Sequence, residues 1–171
     1  MRRRIFAAVL LATMIGPGCA AQPEEVLPAE VLLVDSVSER LRWDVPDGWT
    51  QSSRALFLRL VTFEISEGTE CYVTVLSGDG GGAAANFDRW RMQGGLTPLS
   101  SADRRRLPTL SLLGRDCQFL ETHGPNGSSV GTMVLSSEEM VFVKMTGSEA
   151  TVRAEVERFK EFCKSLRLED G

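Results

Sequence analysis

The chain has 171 residues with ordinary apolar and charged content, enough for one domain with extensions and for a core that folds without staples. Its 19 basic and 23 acidic residues give a net charge of −4; Arg2, Arg3 and Arg4 are the only charges in Met1–Gly18, so the rest of the chain keeps 16 basic residues and a net charge of −7. Bulk charge of that sign disfavours binding to nucleic acid or to anionic lipid headgroups.

From the amino terminus, Arg2–Arg4 form a basic region, and Ile5–Ile15 is apolar apart from Thr13. That apolar stretch is too short for a membrane-spanning helix, which needs about 20 residues, and suits a signal peptide over 1–18. Gly16 and Pro17 break it, and Gly18-Cys19-Ala20-Ala21 supplies small residues for cleavage. A cysteine placed directly after the apolar stretch resembles a bacterial lipobox, in which Cys19 is acylated and becomes the first residue. Gly16 stands where the motif usually has leucine, and ordinary secretory cleavage near Ala21 is the alternative. Residues 19–30, with Pro23, Pro28 and no amphipathic period, read as a tether between a lipid anchor and a single domain over 31–171.

Within the domain, Val31–Asp35 and Leu41–Val45 are short strand-like runs, and Pro46-Asp47-Gly48 is a turn. Ala55–Ile65 is apolar on both faces and predicts a central strand covered on both sides. Glu70–Leu76 alternates as a strand, Gly78–Gly82 is a loop, Ala83–Gln93 a helix and Ser101–Arg106 a polar loop whose three arginines face solvent. Leu107–Leu113, Asp116–Thr122, Val130–Leu135 and Met140–Met145 are strands joined by short turns, among them Gly124-Pro125-Asn126-Gly127. In Thr151–Leu168 the residues Val152, Val156, Phe159, Cys163 and Leu166 make one apolar helical stripe. Sequential strands with short connections pair antiparallel. The fold class expected is α+β, an antiparallel sheet covered by helices.

Two segments carry a family resemblance. Trp43-Asp44-Val45-Pro46-Asp47-Gly48-Trp49 resembles the strand–Pro–x–Gly–Trp opening of PsbP-like domains, and Phe159–Leu166 is similar to their closing helix. That superfamily also holds a Ran-binding nuclear import factor and many bacterial lipoproteins. Gly78–Gly82 followed by Asn86, Arg89, Trp90 and Gln93 resembles a narrower group of bacterial envelope proteins. The resemblance spans roughly residues 40–168 and implies a PsbP-like α/β sandwich and a non-enzymatic habit; it implies no ligand.

Residues able to carry chemistry are few. His123, the single histidine, sits beside Gly124-Pro125 and reads as an exposed turn residue. No G-x-S-x-G elbow, C-x-x-C or H-E-x-x-H spacing occurs, so no catalytic residue, metal or cofactor is expected. Cys71 and Cys117 fall mid-strand, where two buried thiols are expected over a disulfide; Cys163 lies on the helical stripe and is expected buried and unpaired.

The polar segment Gly78–Gln93 is the informative one. Gly81 and Gly82 lead into a helix start, where free amides favour an anion, yet no Lys-Ser or Lys-Thr follows as in a P-loop, and Asp79 adds a negative charge. Asn86, Arg89, Trp90 and Gln93 share one helical face. Arg59, alternating with Phe57, Val61 and Phe63, is expected to point into an apolar sheet face and so to need a partner. Arg59, Gly81, Gly82, Asn86, Arg89 and Trp90 are therefore one candidate polar cluster, structural or recognising. The expected function is a non-catalytic envelope lipoprotein acting as a binding or assembly module, held to the membrane by its anchor and partnered by an envelope protein. A structural lipoprotein without a discrete ligand, and an enzyme with an unrecognised site, are the competing classes. A secreted or periplasmic soluble protein is the competing address.

Overall fold

The computed structural model describes residues 36–169. The leader, Cys19, the tether and the run Val31–Asp35 lie outside them. Ser36 caps a short helix, α1 (Val37–Arg40), through the Ser38 amide, and both Ser36 and the Val37 amide donate to Glu139. Then come β1 (Leu41–Arg42), β2 (Thr50–Gln51), β3 (Val61–Ser66), β4 (Thr69–Ser77), α2 (Gly82–Gln93), α3 (Ser101–Arg105) and β5 (Thr109–Leu112). β6 (Arg115–Gly124), β7 (Gly127–Ser136), β8 (Glu139–Gly147), α4 (Glu149–Ser165) and β9 (Arg167–Leu168) complete the chain.

Seven strands make one antiparallel sheet in the order β2-β3-β4-β8-β7-β6-β5, and β1 pairs with β9. The sheet is two meanders, β2–β4 and β5–β8, joined along a single seam where β4 runs beside β8. The fold is the α+β class that the pattern of elements predicts. Alternation along each strand sends one set of side chains to each face. On the first face Phe63, Val73, Val130, Val141 and Met145 meet Val152, Phe159, Phe162 and Cys163 of α4. Trp49 closes that layer. Its indole N–H donates to Glu155 Oε2 on α4 at 2.9 Å, and its ring lies 5.4 Å from Phe162 and 6.1 Å from Phe63. On the second face α2 places Phe87 and Trp90 against Leu120, Met133, Met140 and Phe142.

Four expectations change. The strands covered on both sides are β7 and β8, where every residue of Ser128–Val134 and of Met140–Met145 is buried, and not Ala55–Ile65. Residues 52–60 instead form an apolar hairpin, and only β3 beyond it enters the sheet; a run of apolar residues does not by itself tell a buried strand from a protruding turn. Leu41–Val45 contributes only the two residues of β1. Ser101–Arg105 is helical because Ser100 caps it through the Asp103 amide, and Arg104 is not solvated but paired with Asp88 at 2.8 Å. His123 is no turn residue: it sits within β6, bonded to Glu121 Oε1 at 2.7 Å and to Ser128 Oγ at 3.0 Å. The helical stripe of α4 is buried as its spacing predicts. Cys71, Cys117 and Cys163 are free and buried, and burial pushes all three thiols up, away from nucleophilic use.

Candidate functional site

α2 packs over β6 and β7 and reaches β8 through Trp90 and Gln93. Beside it the second face of β4 and β8 is left open as a groove of about 190 Å³. Tyr72, Thr74 and Leu76 of β4 form one wall; Asn86, Arg89 and Trp90 of α2 form the other; Phe142 and Lys144 of β8 make the floor. In the register Tyr72 stands opposite Lys144 and Thr74 opposite Phe142, so wall and floor are cross-strand pairs.

The glycine loop fixes where α2 starts. Gly81 takes φ +85°, which a residue without Cβ adopts at no cost, and its amide is held by Asp79 Oδ1 at 2.9 Å. The aspartate fills the position that an anion would take at this helix start, so Gly81 and Gly82 serve the turn. Asn86 ties the loop down: its Nδ2 donates to Gly82 O at 2.7 Å and to Gly80 O at 3.0 Å, and its Oδ1 accepts from Arg89. Trp90 is 7% exposed and packs on Gly131, where a Cβ would come within 2.5 Å of the indole.

Arg59 reaches the cluster from the hairpin and not from within the sheet. Its guanidinium stacks over the Tyr72 ring at 3.8 Å and pairs with Glu70 at 2.7 Å. Lys144 went unnoticed in the sequence, although a lysine inside the apolar run Met140–Met145 carries the same signal as Arg59. It is 5% exposed, bonds Gln93 Oε1 at 2.7 Å and lies 5.3 Å from the Trp90 ring. Burial, with Arg89 and Arg59 nearby, pulls its ammonium down to about 8. Burial also pushes the Tyr72 phenol up.

The hairpin of residues 52–60 borders this groove through Arg59. Ser52 N donates to Thr62 O, and Arg59 N closes a turn on Leu56 O at 3.1 Å. Leu58 holds φ +65°, a left-handed conformation unusual for a branched side chain. Phe57 at the tip is 90% exposed, and Leu56, Leu58 and Leu60 are exposed beside it. Arg54 pairs with Glu64 at 3.1 Å, as Arg59 does with Glu70, so ion pairs flank the apolar tip.

Ser128, His123 and Glu121 form a hydrogen-bonded chain of the kind used in nucleophilic catalysis. By alternation along β7, Ser128 faces the α4 side with Val130, away from the groove, and it is buried. Among the described residues no group of histidine, cysteine and carboxylate side chains is gathered as a metal site, and no helix is long and apolar enough to cross a membrane.

No family model and no curated protein matches the chain. Solved structures similar to it include the cyanobacterial PsbP (CyanoP) of Synechocystis, at 12% identity and a TM-score of 0.45, over 76% of this chain and 93% of that one. LpqN of Mycobacterium tuberculosis, described as involved in cell envelope biogenesis, is similar at 11% identity and a TM-score of 0.40, over 76% of this chain and 83% of that one. A Bacteroides thetaiotaomicron protein is similar at 8% identity and a TM-score of 0.44; the match takes in 79% of this chain but only 47% of that one.

Proposed function

We propose that this chain is a non-catalytic envelope lipoprotein, acylated at Cys19, that acts as a binding or assembly module and docks a protein partner through the hairpin 52–60. The observation that carries the reading is Phe57 at 90% exposure on a strained apolar tip. A left-handed leucine costs on the order of 1 kcal/mol or more, and such strain persists where a conformation is used. A protein partner fits better than the lipid surface. The cations flanking the tip are already neutralised by Glu64 and Glu70, and the net charge beyond residue 18 is −7, so nothing here attracts anionic headgroups. An apolar centre ringed by ion pairs is the anatomy of a protein interface, in which a few aromatic anchors carry most of the energy.

The anchor is tested by intact mass. The mature chain is expected to begin at Cys19 and to carry acyl chains; Cys19→Ala is expected to leave the membrane fraction. A mature chain beginning after Ala21, without lipid, would reject the anchor and leave the docking hairpin standing.

For the hairpin, a photo-crosslinking side chain at position 57 of the membrane-bound protein is expected to give one discrete protein adduct, and the same group at Met92 none. Leu58→Gly is expected to abolish that adduct while holding or raising the melting temperature, because glycine accepts the positive φ. Adducts to lipid alone, a self-adduct, or an adduct indifferent to Leu58→Gly would overturn the docking role.

A further inference from the structure

The cations around the groove do not balance within it. Arg59 has Glu70. Arg89 has the neutral Asn86, and Lys144 the neutral Gln93; neither makes an ion pair among the described residues. An ammonium has three donors, and that of Lys144 gives one hydrogen bond among the described residues while being withdrawn from water. A buried cation without a counter-charge is costly, and a protein that keeps one beside an open groove has a place for an anion. Beside the polar Thr74 and Asn86, the lining has an apolar part made by Leu76, Phe142 and Trp90. The space, about 190 Å³, suits a group of a few atoms and not a chain.

We infer that the groove between α2 and β4 binds a small organic anion, with Arg89 and Lys144 holding its carboxylate or phosphate and Leu76, Phe142 and Trp90 receiving its apolar part. Lys144 is the buried charge at the floor, and Arg89 the exposed one at the rim. Arg89 offers the planar fork that matches either headgroup in two-point fashion. Tyr72 is held in place from the outer side by the stacked Arg59. The site is separate from the hairpin tip and does not rest on its docking role.

Calorimetric titration of the intact mature protein with benzoate, phenyl phosphate and uncharged benzyl alcohol tests this. Binding of one or both anions and not of the alcohol is the expected result, and the preferred anion names the headgroup. Arg89→Ala and Lys144→Met are each expected to weaken binding ten-fold or more. Arg89 is exposed and its loss leaves the core intact, so a folded variant is assured. Phe57→Ser is expected to leave binding unchanged. Equal affinity for benzyl alcohol, no binding of either anion, or full affinity in both groove variants would overturn the assignment.

Discussion

Replacing Trp90 with alanine is expected to destabilise the domain by roughly 3–5 kcal/mol, the usual cost of emptying a buried aromatic site. The indole packs on the bare backbone of Gly131 and against Phe87 and Phe142, with ring centroids 5.7 and 6.5 Å away. Nothing larger than a hydrogen sits at Gly131 to collapse into the space. For a domain of this size the loss corresponds to a fall of about 10 °C or more in melting temperature. Arg89→Ala, one residue away but exposed, is expected to shift it by no more than a degree or two. Thermal unfolding followed by near-ultraviolet circular dichroism separates the two. Equal, small shifts would mean that α2 is not docked through Trp90.

Lys144→Met is expected to do the opposite and stabilise the protein at neutral pH. The lysine is the one charge among the buried residues of β8, and its ammonium is drawn from 10.5 to about 8. A base whose folded-state pKa is lowered binds fewer protons folded than unfolded between the two values, so stability rises with pH through that window. Below about 8 the cost is present in full; above about 10.5 both states are neutral and it is gone. The groups around the ammonium are Arg89 and Gln93 from α2, Arg59 from the hairpin, and Tyr72 opposite it on β4. The advantage of Lys144→Met is thus expected to be roughly 3 kcal/mol at pH 7 and to close as pH rises from about 8 to 10.5. Denaturant unfolding at a series of pH values measures it. An advantage that is absent at pH 7 would show the ammonium to be well solvated, and one that persists unchanged at pH 10.5 would show that the gain does not come from removing the charge.

Much of the fold is written in local patterns. The stripe of α4 and the turn at Gly124–Gly127 are legible because period and turn chemistry agree. The centre of the sheet was misplaced because Ala55–Leu60 and Met140–Met145 look alike in a chain of letters. What separates them is a partner on each side, and strand pairing between β4 and β8 is a long-range fact. The site was half legible. Asn86, Arg89 and Trp90 share a helix face, and the structure keeps them together on one wall. Arg59 belonged to the cluster for the wrong reason: it arrives over Tyr72 from outside the sheet. Lys144 carries its own signal as a lysine inside an apolar run, but only the pairing of the two strands sets Tyr72 opposite it.

That pairing has a consequence for the order of folding. Each meander is built from hairpins between neighbours in sequence and can form early, whereas the β4–β8 seam must wait for a long loop containing α2 and α3 to close. Tyr72 and Thr74 stand on one side of the seam, Lys144 and Phe142 on the other. The groove therefore does not exist in any intermediate holding the meanders apart. A ligand seated there would act as a clasp across that seam, its binding energy adding to the stability of the folded state.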